Sequence, residues 1–100
     1  MTKKYTPPNE VVSPKKRWGL IAVLDEGTEG TSALAIGRWD GDVVLAMRWN
    51  GDGANRNGNP QSRGLPTWFI VPEKFYDGIL QNKDLARDKV TLARNFFPGR

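Results

Sequence analysis

The sequence predicts an α+β fold, a twisted antiparallel sheet of about four strands followed by one or two C-terminal helices. Three observations carry that prediction. Residues 32–49 are two apolar runs joined by Asp40-Gly41, a dipeptide suited to a type I′ hairpin turn, whose two central residues need positive φ. Residues 18–24 are continuously apolar and bounded by charge, the mark of a buried strand. After Pro72 the apolar spacing changes from alternation to helical periodicity.

One hundred residues suit a single domain with a modest core. We read residues 1–16 as a flexible basic arm and residues 17–100 as the α+β domain. Residues 1–17 hold five basic residues against Glu10, whereas residues 18–100 hold ten of each sign. The net charge of +4 therefore belongs to the arm and does not imply a basic face on the domain. The chain has no cysteine and no histidine, which removes disulfides, thiolate zinc sites, cysteine nucleophiles and the commonest general base. No apolar run approaches the ~20 residues of a membrane helix, and the N-terminus lacks a signal-peptide core. The expectation is a cytoplasmic, non-enzymatic protein without cofactor, metal or membrane partner.

The arm contains Pro7, Pro8 and Pro14 and few large apolar groups, which suits an extended or disordered segment. It reads either as an electrostatic arm for phosphate, through Lys15, Lys16 and Arg17, or as a solubilising tail. Trp18 to Leu24 is the first strand, buried on both faces. Asp25 to Gly30 is a turn, which makes strands one and two antiparallel neighbours. A two-residue turn sets Trp39 opposite Asp42, Ile36 opposite Leu45 and Leu34 opposite Met47. One face of the hairpin then carries Leu34, Ile36, Val43, Leu45, Met47 and Trp49. The other is small, with Ala33, Ala35, Gly37, Val44 and Ala46, and invites close approach by a sheet or a partner chain; with four Trp residues, it suggests a homodimer.

Asn50 to Leu65 is a long loop rich in Gly and Asn. Loops beyond ~12–15 residues without structure of their own are usually functional or disordered, so this is the leading site candidate. Thr67 to Val71 is the fourth strand, with Trp68 and Ile70 on one face and Thr67, Phe69 and Val71 on the other. Pro72-Glu73 opens a helix with Phe75, Tyr76, Ile79 and Leu80 along one stripe. Asn82 is placed to cap a second helix from Lys83 to about Asn95, ended by Pro98-Gly99; Val90 to Leu92 also fits a short strand.

The loop carries Arg56 and Arg63, with Arg48-Trp49 before it and Trp68 after it. Guanidinium groups bind phosphate bidentately, glycines let backbone N–H groups approach it, and Trp offers a stacking platform. The alternative is a solvated loop with the Trp residues in the core. An EF-hand is rejected because its first and twelfth positions would be Gly53 and Gly64. A phosphate loop is unsupported without a following Lys-Ser/Thr. Turn chemistry accounts for Asp25, Glu26, Glu29, Asp40 and Asp42 more simply than a carboxylate pair or metal site does.

Arg48-Trp49 ending a strand, the Gly-rich loop, then Arg63-Gly64 leading through a short strand to Pro72-Glu73-Lys74-Phe75 give residues 17–82 an order of parts that resembles the single-stranded-DNA-binding transcriptional coactivator (positive cofactor four) and Whirly-like family. The loop departs from that family in being poor in Lys. The resemblance implies a four-stranded sheet followed by a helix, dimerisation, and single-stranded DNA or RNA as partner. The reading is a binder of single-stranded nucleic acid through Arg48, Trp49, Arg56, Arg63 and Trp68, aided by Lys15, Lys16 and Arg17. The alternative is a protein-interaction module or inhibitor of the kind mobile elements encode, with an aromatic small-molecule pocket as a third reading.

Overall fold

The computed structural model describes residues 4–98. Strands β1 (Trp18–Asp25), β2 (Ser32–Trp39) and β3 (Asp42–Trp49) form an antiparallel meander, closed on its far side by β6 (Phe69–Ile70). The short strands β4 (Gln61–Ser62) and β5 (Leu65–Pro66) form a separate ribbon within the long loop. Helices α1 (Tyr76–Leu80) and α2 (Arg87–Asn95) follow the sheet, which makes the fold α+β as expected.

The hairpin register is the one that the Asp-Gly turn dictates: Trp39 pairs with Asp42, Ile36 with Leu45 and Leu34 with Met47. Asp40 at φ 50° and Gly41 at φ 91° supply the two positive dihedrals of the type I′ turn. On one face Leu24, Leu34, Ile36, Leu45 and Val71 pack against Tyr76, Leu80, Leu85, Ala93 and Phe97 of the helical layer. The Tyr76 and Phe97 rings meet at 5.0 Å between centroids, and Asp77 of α1 is bridged to Arg94 of α2 at 3.1 Å. Strand β1 contributes to both faces, Ile21, Ala22 and Leu24 to this one and Trp18 and Leu20 to the other, but it is an edge strand and most of its interior is only half-buried.

The small-residue face is where expectation and structure part. Ala33, Ala35 and Ala46 are covered by Val11, Trp18 and Trp68. Trp18 lies so close over Gly37 that a Cβ there would run into its ring. The Trp18 and Trp68 rings are 5.8 Å apart, and Trp68 Nε1 donates to the Val11 carbonyl at 2.9 Å. Residues 4–16, read as a flexible arm, thus form a third layer of the fold, with Tyr5, Pro8 and Val11 buried. Pro8, which opens the 3-10 turn Pro8–Glu10, is buried, and Pro7 and Pro14 are half-buried. The face from which a homodimer was expected is occupied by the chain itself.

The helical layer is shorter than the periodicity implies. Pro72 leads into a 3-10 turn, Glu73–Phe75, before α1, and Phe75 stays exposed. α2 begins at Arg87, four residues after Lys83, with Ala86 as its uncapped N-terminus. The Asn82 side chain instead accepts from the Asp84 N–H at 2.8 Å and closes a turn. Residues 90–92 are helical, so the strand alternative falls. Of the predicted stop Pro98-Gly99, Gly99 lies outside the described residues, as do residues 1–3 of the arm.

Candidate functional site

The long loop is folded upon itself. Its Asn residues, able to donate and accept, tie down backbone: Asn57 Nδ2 donates to Gly64 O within the loop at 2.9 Å, and Asn50 Nδ2 fastens the loop to the β1–β2 turn through Glu26 O at 2.8 Å and Thr28 O at 3.0 Å. Asp52 Oδ1 accepts from Ala54 and Asn55 N–H, each at 2.8 Å. Trp49 and Asn59 exchange both backbone hydrogen bonds, at 2.7 and 3.1 Å. Gly58 lets the chain return this closely, for a Cβ there would strike the Trp49 carbonyl. The composition that suggested a phosphate nest is thus used mainly to satisfy polar groups of the loop and of the neighbouring β1–β2 turn.

Arg48 is the loop's anchor. Strand alternation sends its side chain to the small-residue face, where it is 3% exposed. Its guanidinium donates to the carbonyls of Thr67 and Asn57, and more weakly to Pro60 O at 3.5 Å. Burial pushes its pKa down from the ordinary arginine value. Three of its donor contacts are therefore committed to backbone, and the expected phosphate contact is corrected to a structural one. Trp68, 7% exposed beneath the arm, is likewise a core residue and no stacking platform.

Arg17 is engaged elsewhere. Its Nε and Nη2 donate to the two carboxylate oxygens of Asp40 at 3.0 and 2.7 Å, and its guanidinium lies 4.4 Å from the centre of the Trp39 ring. The hydrogen bonds to Asp40 raise the Arg17 pKa and those from Arg17 lower that of Asp40. This clamp sits on the β2–β3 turn, at the other end of β3 from Trp49, roughly 23 Å away at ~3.3 Å per residue.

Trp49 is 59% exposed, Phe69 58% and Leu65 56%. Phe69 pairs directly with Met47, so Trp49, two residues further along β3, is its diagonal neighbour on the same face. Ser32, Met47, Arg48, Trp49, Asn59, Pro60 and Phe69 line a groove of about 490 Å³. It stays open because α1, with five residues and thus only about 7.5 Å long, cannot span strands of eight residues and about 26 Å. The sequence reading named Trp68 of this strand and not Phe69, which strand alternation puts on the opposite face and which the Met47–Phe69 pairing brings beside Trp49.

Lys15, Lys16, Arg56 and Arg63 are all exposed. Arg63 and Gly64, at φ 54° and 79°, form the turn of the β4–β5 ribbon, where Ser62 pairs with Leu65. This second type I′ turn places an arginine where a side chain with a Cβ costs about 1–2 kcal/mol. A cavity of about 490 Å³ beside it is lined by Ser13, Pro14, Lys15, Ser62, Arg63, Leu65 and Thr67. The structure thus splits the predicted set: Lys15 and Arg63 share one cavity, Trp49 lines another with Phe69, and Arg48, Trp68 and Arg17 serve the fold. Asp25 accepts from the Gly27 N–H at 3.0 Å, in keeping with turn chemistry. Among the described residues there is no group of three or more potential metal ligands and no helix long and apolar enough to cross a membrane. Comparisons with protein-family models, curated proteins and solved structures find no match for this chain.

Proposed function

We propose that this protein is a non-enzymatic binder of single-stranded nucleic acid, with Trp49 and Phe69 as its base-stacking platform. The observation that carries the reading is the pair of aromatic side chains, each more than half exposed and neighbours on one sheet face, at a groove large enough for a base. Aromatic rings left in water at this density are costly unless a ligand covers them. Stacking on such a platform contributes about 1–3 kcal/mol per base and tolerates any sequence. Exposed Arg56 and Lys16 supply charge neutralisation, which makes binding salt-sensitive.

The test is titration of tryptophan fluorescence with short single-stranded oligonucleotides at two salt concentrations. Quenching that weakens with salt, and an affinity loss of about tenfold in Trp49→Ala or Phe69→Ala, is the expected result. A second reading is favoured by the groove's mainly apolar side chains and by exposed Leu65: a protein-interaction module seating an apolar segment of a partner. Absence of quenching at low salt would sink the nucleic-acid reading. Protection of Trp49 by apolar peptides, abolished in Leu65→Ser, would support the second.

A further inference from the structure

We infer that the cavity between the N-terminal segment and the β4–β5 ribbon is a phosphate-binding site, with Arg63 and Lys15 as its cationic donors. The first ground is composition. Lys15 and Arg63, distant in sequence, line one cavity together with the hydroxyl-bearing residues Ser13, Ser62 and Thr67, and no carboxylate residue is among its lining. Neither cationic side chain forms an ion pair or hydrogen bond among the described residues. Two like charges brought to one concavity repel each other unless an anion sits between them. Guanidinium, ammonium and hydroxyl donors together match the several acceptor oxygens of phosphate.

The second ground is independent of charge. Both type I′ turns of the chain require left-handed backbone at their first central residue. The β2–β3 turn fills that position with Asp40, which tolerates the conformation. The β4–β5 turn fills it with Arg63, a residue that the turn itself does not favour. Backbone strain held at an exposed cation beside a cavity points to a ligand at that place. Leu65, in the same lining, offers an apolar wall for whatever carries the phosphate.

The inference rests on the nucleic-acid reading only for the source of the phosphate, which is either a nucleic-acid backbone or a free phosphorylated small molecule. The experiment is amide-resolved NMR titration of the full chain, first with inorganic phosphate and pyrophosphate, then with a short oligonucleotide. Saturable shifts confined to residues 13–15 and 62–67 are expected. Arg63→Asn, which suits the turn, is expected to weaken phosphate binding at least tenfold while leaving the melting temperature unchanged or higher; Lys15→Ala is expected to weaken it several-fold. Unchanged phosphate affinity in Arg63→Asn, or shifts located elsewhere, overturns the site. An oligonucleotide that displaces phosphate and quenches Trp49 identifies the backbone as the source. Phosphate binding without oligonucleotide binding keeps the site, assigns it to a small phosphorylated ligand and removes the base-stacking reading.

Discussion

Arg48 illustrates how one residue can look like a ligand contact in sequence and act as a structural tie. It stands next to a Gly-rich loop and an exposed Trp, which is where a phosphate contact belongs. Yet its parity on β3 places it with Val44 and Ala46, on the face that the N-terminal segment covers. A buried guanidinium stabilises to the extent that its donors are met, and here the carbonyls of Thr67 and Asn57 meet Nη1 and Nη2 while Nε stays buried without a partner among the described residues. Arg48→Ala is expected to destabilise the protein by about 3 kcal/mol, since it strands the carbonyls of Thr67 and Asn57 and releases the loop from β3. Urea unfolding measures this, and a midpoint equal to that of the unaltered protein would contradict the anchoring role. Arg48→Lys should recover only part of the loss, because a point charge cannot reproduce the fork.

Among the elements, the β2–β3 hairpin was readable to the individual pair, because everything that defines it lies within eighteen residues: the Asp-Gly turn and two alternating runs. The start of α2 was not, because Asn82 can close a turn or cap a helix, and the buried position of Leu85 selects the turn. The small face of the hairpin was read correctly as a place of close approach, but what approaches it is the chain's own Trp18. Gly37→Ala tests that packing. A methyl group there collides with the Trp18 ring and is expected to cost about 1–3 kcal/mol. Equilibrium unfolding with a tryptophan emission scan would register both the loss and the displaced ring; no change in either would mean that Trp18 has room to move aside.

For the molecule as a whole, the decisive difference lies in residues 4–16. Their prolines and lysines have the composition of a disordered arm, and nothing local reveals that they are held. What holds them is long-range: Trp68 reaches Val11 across 57 residues, and Thr6 N–H donates to Arg56 O at 3.0 Å. The radius of gyration, 13.2 Å, equals the ~13 Å of a compact 100-residue domain, so the segment adds no length. Val11, fully buried, is therefore expected to behave as core. Val11→Ala should cost on the order of 2 kcal/mol, a fall of about 10 °C in melting temperature. Lys16→Ala, at an exposed position, should change stability by less than about 0.5 kcal/mol. Calorimetry on the two variants separates a structural layer from a loose tail, for a loose tail would leave both unchanged.

That layer also imposes an order in time. Val11 leaves the ribosome 57 residues ahead of the tryptophan that receives it, an interval of roughly 3–11 s at about 5–20 residues per second. Over those seconds the apolar run 18–24 and the alanine side of the hairpin emerge with their cover still unassembled. The nascent chain therefore passes through those seconds as an open sheet, and the emergence of Trp68 is the event that allows its alanine side to close.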